Sequence, residues 1–195
     1  RSLVDTEPLH VQTEKRMFRK LGLDISEEEH SGYMGTATDV MWEQITGKRN
    51  LSLDIAEITA LTIQEGLPFF YSLEKIEPMP GLTDLLENLK EKKIPLAVAS
   101  SSDPETIRVI LEKSDLRKFF QHTVSSSEVG KSKPEPDVFL HAAKLLGVAP
   151  ENCVVFEDSK NGIKAAKAAG MFCIAYDGAN SGEQDRNQAD YHISN

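Results

Sequence analysis

Three short polar segments in the C-terminal half of the sequence carry groups suited to binding a phosphate and a metal ion. They are the serine triplet 100–102, the lysine Lys133, and the adjacent carboxylates Glu157 and Asp158. Serine hydroxyl and backbone N–H groups donate to phosphate oxygens, and a lysine ammonium neutralises their charge. Paired carboxylates are ligands that Mg²⁺ prefers. Together these residue types favour chemistry on a phosphate ester.

Each segment also has an ordinary structural explanation when it is taken alone. Serine-rich turns after strands are common, loop lysines are usually solvated, and Asp158 or Ser159 is well placed to cap a following helix. Phosphoryl transfer, however, needs a hydroxyl that donates to the phosphate, a lysine and an acidic metal site together. We therefore predict one site, provided that the fold brings the three segments to one place.

Alternating strands and helices indicate that the fold does so. Strands are predicted at 94–100, 122–126, 153–158, 172–176 and 189–195, and helices from 82 and at 103–114, 134–147 and 161–170. Apolar strands separated by helices indicate a doubly wound α/β domain whose parallel sheet is covered on both faces. Ligands bind such sheets beyond the carboxyl ends of the strands, where all three polar segments fall.

The N-terminal part of the chain has a different pattern. Helical periodicity is present near 8–21, 37–47 and 52–72, and no convincing strand is found among these segments. We predict an all-helical insertion over residues 8–77. The α/β core would then consist of residues 1–7 and 78–195.

Composition excludes several classes of function. The net charge of −9 and the lack of a basic block argue against nucleic-acid partners. No apolar run approaches the roughly 18 residues of a membrane span, so we predict no membrane partner. Cys153 and Cys173 lie at or inside apolar runs, which predicts buried thiols rather than a disulfide. With no secretory signal at the start, we expect a cytoplasmic protein.

Four motifs give the chain its resemblance to a known superfamily. They are LVDTEPLH (3–10), LAVASSS (96–102), GKSKPEPDVF (130–139) and VVFEDSKNGIKAAKAAGM (154–171). In this order they resemble the haloacid dehalogenase superfamily, in its branch of small sugar-phosphate phosphatases and β-phosphoglucomutases with a helical cap. The resemblance implies a Rossmann-like parallel sheet core with an inserted helical cap. It also implies Mg²⁺ as cofactor and a small-molecule phosphate ester as substrate.

The resemblance further implies a role for each residue of the three polar segments. Ser100 and the amide of Ser101 would hold the phosphate. Lys133 would neutralise both the phosphate and the attacking group, so that Lys133 and Ser100 form the catalytic set. Glu157 and Asp158 would bind Mg²⁺.

The N-terminal motif raises the question of the nucleophile. Asp5, Thr6 and His10 are implied to lie at the hinge between core and cap. In the family, a strand ending in Asp-x-Asp-Gly leads into this motif, so the attacking aspartate and the acid–base aspartate would precede Arg1. Asp5 and Glu7 form an acidic pair that could replace the two missing aspartates. We interpret them instead as a helix-capping linker, because no apolar strand precedes them. Without that strand, we expect two unpaired sheet edges and a split core.

The expected reaction is hydrolysis of a small phosphomonoester, such as a sugar phosphate, through an aspartyl-phosphate intermediate. A mutase would need cations for a second phosphate, but Thr38 and Asp103 stand where mutases resembling this chain carry an arginine and a lysine. Lys48 or Arg49, elsewhere in the cap, could supply the positive charge that a second phosphate requires. The alternatives are a β-phosphoglucomutase-type mutase, or a non-catalytic protein that binds phosphate esters and Mg²⁺. We expect a monomer.

Overall fold

Four helices form the N-terminal part of the chain, and strands alternate with helices in the remainder. The computed structural model describes residues 3–34, 36–177 and 185–194. The N-terminal helices are α1 (Glu7–Lys20), α2 (Glu27–Ser31), α3 (Thr38–Arg49) and α4 (Ile55–Ser72). The following elements are, in chain order, α5 (Leu82–Glu91), β1 (Ala97–Ser100), α6 (Pro104–Lys113), β2 (His122–Ser125), α7 (Asp137–Leu146), β3 (Val154–Glu157), α8 (Lys160–Ala168), β4 (Phe172–Asp177) and β5 (Tyr191–Ser194).

The predicted helices and strands are confirmed in type and order, and their boundaries agree to within three residues. Local chemistry explains several of these boundaries. α6 begins after Asp103, whose carboxylate accepts a hydrogen bond from the N–H of Thr106 at 2.9 Å. α7 ends at Gly147, which adopts the left-handed conformation with φ 69°. The sequence does not predict α2, because this helix has only five residues and no apolar period.

The strands form two parallel sheets with a gap between them. β1 pairs with β2, so that Ala99 lies opposite Val124. The second sheet has the order β3, β4, β5, and Phe156 lies opposite Ile174. No ladder joins β1 to β3 among the residues that the structure describes. Both strands therefore present an unpaired edge to the gap, as the sequence predicts.

α7 and α8 connect the two sheets along one face. Their apolar side chains belong to one buried cluster that includes strand residues from both sheets, such as Val124 of β2 and Val155 of β3. The predicted split of the core is therefore wrong on this face, because the two helices bridge the gap. The sheet is interrupted, but the core beneath it is continuous.

The opposite face differs between the two sheets. α5 and α6 contribute Leu86 and Ile107 to a second cluster that packs against Leu96 and Val98. The prediction of two covered faces is thus confirmed for β1 and β2. On β3, β4 and β5, several apolar side chains are instead left more than 40% exposed by the described residues: Val154, Phe156, Phe172 and Tyr191.

A third apolar cluster holds the N-terminal helices together. Trp42 of α3 is fully buried, and its indole N–H donates to the hydroxyl of Thr62 on α4 at 2.8 Å. α1 approaches α4 closely because Gly66 has no side chain, and a Cβ there would lie 3.1 Å from the Thr13 hydroxyl oxygen. Among the described helices, none is long and apolar enough to cross a membrane.

Both cysteines are free thiols. Cys173 is fully buried in β4, where burial, together with the charges of Glu157 and Asp190, raises the pKa of its thiol to about 11. Cys153 is only partly buried. The predicted burial is therefore confirmed for Cys173 and not for Cys153.

Candidate active site

The candidate site is a cavity of about 920 Å³ lined by the carboxyl ends of β1 and β3 and by residues of α1 and α4. Its wall includes Ser100 and Ser101 after β1, Lys133 from the loop before α7, and the carboxylates Glu157 and Asp158 after β3. The three polar segments, which are far apart in sequence, thus line one cavity. The gap between the two sheets forms part of the same space.

Lys133 is buried in this wall and is 6% exposed. Its ammonium donates to Oε2 of Glu157 at 2.8 Å and to the backbone carbonyl of Ala99 at 3.3 Å. The ammonium also lies 4.6 Å from the ring centroid of Phe139 on α7, within the range of a cation–π contact. These partners offset the cost of burying the charge and hold it at the end of β1.

Glu157 accepts hydrogen bonds at both carboxylate oxygens. Oε2 accepts from Lys133, and Oε1 accepts from the N–H groups of Asp158 and Ser159 and from the Ser159 hydroxyl, at 3.0 to 3.1 Å. Burial alone would raise the pKa of the Glu157 carboxyl. The charge and hydrogen bond of Lys133 outweigh burial and leave that pKa below its ordinary value. Glu157 is therefore an anion that positions Lys133.

Gly162 leaves the space that Glu157 occupies at the start of α8. A Cβ at this position would lie 2.0 Å from Oε2 of Glu157, so no side chain fits without displacing that carboxylate. Sequence reasoning did not give Gly162 a role. The available signal was a glycine, which is a poor helix former, in the first turn of an alanine-rich helix.

Asp158 is a second buried carboxylate of the cavity wall, with 6% exposure. Its backbone carbonyl accepts a hydrogen bond from Arg186 at 2.9 Å. Ser159, and not Asp158, is the N-cap of α8, since the Ser159 hydroxyl accepts from the N–H of Gly162 at 3.1 Å. The sequence allowed either Asp158 or Ser159 as the helix cap, and the structure has Ser159 in that role.

The serine triplet forms a tight turn after β1. The N–H of Ser102 donates to the hydroxyl of Ser100 at 3.1 Å. The hydroxyl of Ser125, at the end of β2, donates to the carbonyl of Ser102 at 2.7 Å. These bonds tie the turn to the neighbouring strand, and they keep Ser100 and Ser101 at the cavity.

Of the three expected hinge residues, Thr6 and His10 lie at the cavity and Asp5 lies at the surface. Thr6 is buried, and its carbonyl accepts hydrogen bonds from the N–H groups of Leu9 and His10 in the first turn of α1. The ring of His10 contacts the ring of Phe70 on α4, with 5.3 Å between centroids. Thr6 and His10 line the cavity. Asp5 is exposed and lies outside the described lining.

The charge of the cavity wall is mostly negative. Lys133 is the only lysine or arginine among the described residues that line it. Thr38 and Asp103, the two positions at which the resemblance implies cations in a mutase, both belong to the lining. Lys48 and Arg49 lie outside that lining, and both pair with Glu29, at 3.7 and 2.7 Å.

Glu157 and Asp158 are the residues of the site with the chemistry to hold a metal ion. Two carboxylates supply hard oxygen ligands, a donor set that fits Mg²⁺ when water and phosphate oxygens take the other positions. In the described part of the chain, no group of three or more His, Cys, Asp or Glu side chains is arranged for metal binding. The pair therefore fits Mg²⁺ as one part of a site.

Known proteins are similar to this chain over most of its length. Residues 1–176 match the family model of haloacid dehalogenase-like hydrolases. The chain is 34% identical over 173 residues to the phosphorylated carbohydrates phosphatase of Thermotoga maritima, a match that covers 87% of this chain and 77% of that protein. It is 31% identical over 176 residues to the fructose-1-phosphate phosphatase YqaB of Escherichia coli, with coverage of 89% and 90%. A crystal structure of a mutant CbbY from Rhodobacter sphaeroides, in complex with xylulose-(1,5)bisphosphate, is similar with a TM-score of 0.85 and 28% identity, over 98% of this chain and 88% of that chain.

Proposed function

Because the chain belongs to the haloacid dehalogenase-like hydrolases, we propose that it is a phosphatase of a small phosphomonoester, with sugar phosphates as the substrate class. The observation that carries the proposal is the cavity where the serine turn, Lys133 and the carboxylates Glu157 and Asp158 meet. Two relatives with more than 30% identity are named as phosphatases of phosphorylated carbohydrates and of fructose 1-phosphate. Their names support the same substrate class.

In this proposal the phosphate binds between the serine turn and the lysine. The Ser100 hydroxyl and the Ser101 N–H donate to phosphate oxygens, and the Lys133 ammonium neutralises their charge. The bond from Lys133 to Glu157 supports this role, because it holds the ammonium in place before substrate arrives. A fixed charge needs no reorganisation during the reaction and so stabilises the transition state effectively.

We assign Mg²⁺ to the two carboxylates after β3. Asp158 would bind it directly, and Glu157 directly or through water, since Glu157 already accepts four hydrogen bonds. When bound, Mg²⁺ would reduce the repulsion between the phosphate and an attacking carboxylate. The burial of both side chains supports the assignment, because a divalent ion compensates negative charge in a cavity that water solvates poorly.

The attacking group in this proposal is an aspartate on a strand that fills the gap between β1 and β3 and precedes Arg1. Its carboxylate oxygen bonds to phosphorus while the ester P–O bond breaks, and a second aspartate gives a proton to the sugar oxygen that leaves. Water then hydrolyses the aspartyl phosphate and releases inorganic phosphate. The unpaired edges of β1 and β3 support the position of the strand, because a parallel strand there would pair with both.

The charge of the wall favours hydrolysis over the mutase alternative. A mutase must hold a second phosphate, and the described lining offers Lys133 alone as a lysine or arginine. The cap cations Lys48 and Arg49 are engaged with Glu29 instead. We further propose that residues 8–77 act as the cap that excludes water during transfer, since α1 and α4 contribute to the cavity wall.

The test compares two lysines of the same loop in the full-length protein. With fructose 1-phosphate and Mg²⁺, Lys133→Ala is expected to lower kcat/KM roughly hundredfold or more, because it removes a preorganised charge from the phosphate. Lys131 is exposed, so Lys131→Ala is the matched control and should keep wild-type turnover. Phosphate release is the readout. Full turnover by Lys133→Ala would reject the assignment, and a wild type that binds the ester without releasing phosphate would be the non-catalytic binder.

A further inference from the structure

Glu14 on α1 places a carboxylate in the cavity wall that the phosphate and metal chemistry does not use. Its side chain is 17% exposed and lines the cavity. Oε2 of Glu14 lies 2.5 Å from Nε2 of His30 on α2. The described residues provide no other hydrogen bond to this carboxylate, so its second oxygen is available as an acceptor.

His30 fixes the orientation of that carboxylate. Its side chain is 5% exposed, and it is outside the described lining of the cavity. The ring of His30 packs edge-on against Phe18, with 5.1 Å between ring centroids. A buried ring held in this way has little freedom, so it restricts the orientation of the Glu14 carboxylate.

The hydroxyl groups that α1 and α4 contribute to this wall are already bonded to their own helices. Thr13 donates to the carbonyl of Leu9 at 2.9 Å, and Thr62 donates to the carbonyl of Ile58 at 2.7 Å. An ionised carboxylate with an oxygen to spare is a stronger acceptor than either hydroxyl. A neutral substrate hydroxyl would bind Glu14 favourably, whereas a second phosphate would be repelled by it.

We propose that Glu14 is a specificity-determining residue that accepts hydrogen bonds from hydroxyl groups of the sugar or polyol part of the substrate. His30 is the positioning residue that holds it. This inference rests on the proposed function, and it narrows the substrate class to neutral, hydroxyl-rich monophosphates. Bisphosphates are disfavoured because their second phosphate would meet a carboxylate.

The first experiment compares substrates with and without hydroxyl groups, using the full-length protein. The quantity measured is the ratio of kcat/KM for fructose 1-phosphate to kcat/KM for p-nitrophenyl phosphate. Glu14→Gln should lower this ratio roughly tenfold or more, mainly through a higher KM for the sugar phosphate, because a charged acceptor is lost. An unchanged ratio in this variant would overturn the proposal.

Glu65 on α4 provides a matched control. Its side chain is also 17% exposed and paired with cations, Arg16 and Lys20, but it is outside the described lining. Glu65→Gln should therefore leave the ratio unchanged. A fall in the ratio as large as that of Glu14→Gln would show a general effect of cap charge and would also overturn the proposal.

A bisphosphate gives a readout that a merely damaged cap would not produce. Glu14→Gln should raise kcat/KM for fructose 1,6-bisphosphate relative to fructose 1-phosphate, because the repulsion of the second phosphate is removed. Structural damage would lower both values together. His30→Ala should reproduce the loss of sugar-phosphate preference, and His30→Gln, which keeps an N–H donor for Glu14, should restore part of it.

The same variants separate this proposal from the proposed function. If the wild type hydrolyses neither substrate, the phosphatase assignment is wrong. Calorimetric binding of fructose 1-phosphate to the wild type and to Glu14→Gln then decides the role of Glu14. Weaker binding to the variant supports the role, and equal binding overturns it.

Discussion

At the scale of the residue, the site depends on a buried ion pair whose members are 24 positions apart. Lys133 and Glu157 are 6% and 7% exposed, and although burial would raise the pKa of Glu157, the charge and hydrogen bond of Lys133 hold it below its ordinary value. Removing one partner of such a pair leaves an uncompensated buried charge, which is far more costly than losing a surface pair. The pair in turn requires Gly162, since only a residue without a side chain leaves room for Glu157.

We expect Gly162→Ala to lower both stability and activity. The new Cβ would overlap with Glu157, and overpacking of a buried site costs roughly 1–3 kcal/mol. Gly47→Ala in α3 is the control, because that position is exposed and no heavy atom lies within 4 Å of a Cβ there. The control should gain up to about 1 kcal/mol in helix stability. Thermal melts measure the stability of both variants, and kcat/KM measures their activity. A Gly162→Ala protein as stable and active as the wild type would contradict this account.

Residue types and spacing predicted that Ser100, Lys133 and Asp158 meet at one site. Ser100 ends β1, Asp158 follows β3 and Lys133 lies in the loop between β2 and α7, and the carboxyl ends of parallel strands share an edge. The contact of Glu14 with His30 was not predictable, because it joins two helices whose relative placement depends on the packing of the whole helical region. Asp5 was predicted to lie with Thr6 and His10, but its side chain is exposed and is outside the described lining of the cavity.

At the scale of the element, α2 and α3 are joined by a carboxylate that holds several donors. Glu29 accepts from both terminal guanidinium nitrogens of Arg49, at 2.7 Å each, and from the hydroxyl of Tyr33 at 2.9 Å. The hydrogen bonds from Arg49 and then Tyr33 lower the pKa of Glu29 to about 2. The short helix α2 is thereby attached to the end of α3.

This attachment predicts a pH-dependent stability. The pKa of Glu29 is lower in the folded protein than its ordinary value of 4.5, so the unfolded chain binds the proton more tightly. The contribution of Glu29 is complete above pH 4.5 and is lost as the pH falls towards about 2. Glu29→Gln should therefore destabilise the protein at neutral pH, by a difference that shrinks in acid.

Urea unfolding followed by the fluorescence of Trp42, the single tryptophan, measures that difference in the helical region. Glu28→Gln is the control, because Glu28 is the exposed neighbour in the same helix. A Glu29→Gln protein whose unfolding midpoint matches the wild type at neutral pH would show that this contact contributes nothing.

The longer elements were predictable from local patterns. α1, α3 and α4 follow from the helical spacing of their apolar residues, and the five strands follow from short apolar runs bounded by turn residues. α2 was missed, since its sequence begins with three glutamates and its apolar contact comes from His30, which is buried against Phe18. A five-residue helix of this kind depends on tertiary contacts rather than on propensity.

At the scale of the whole molecule, the sheet is interrupted, but both of its parts pack against one continuous core. α7 and α8 bridge the sheets, while the unpaired edges of β1 and β3 border the cavity that holds the site. The sequence predicted the interruption but not the bridge, because helix packing beneath the gap depends on both sheets at once. Because the gap opens into the same cavity, a parallel strand in the gap would have its carboxyl end at the phosphate site.

Hydrogen exchange tests whether a strand fills the gap in the full-length protein. The amides of β1 and β3 should then exchange as slowly as those of β4, which has a paired strand on each side. The physical reason is that a filled gap gives both edges hydrogen-bond partners. Rapid exchange along β1 and β3, with slow exchange in β4, would mean that the gap stays open and that the attacking group lies elsewhere.

The most direct test of the central claim is phosphate release by the full-length protein from fructose 1-phosphate, measured with Mg²⁺ and after removal of the metal by a chelator. The account predicts release with Mg²⁺, loss of release on chelation, and recovery when Mg²⁺ is returned, because Asp158 and Glu157 are assigned to that ion. Release that continues undiminished without metal would contradict the assignment of these carboxylates. No release in its presence, from fructose 1-phosphate or from p-nitrophenyl phosphate, would contradict the phosphatase itself.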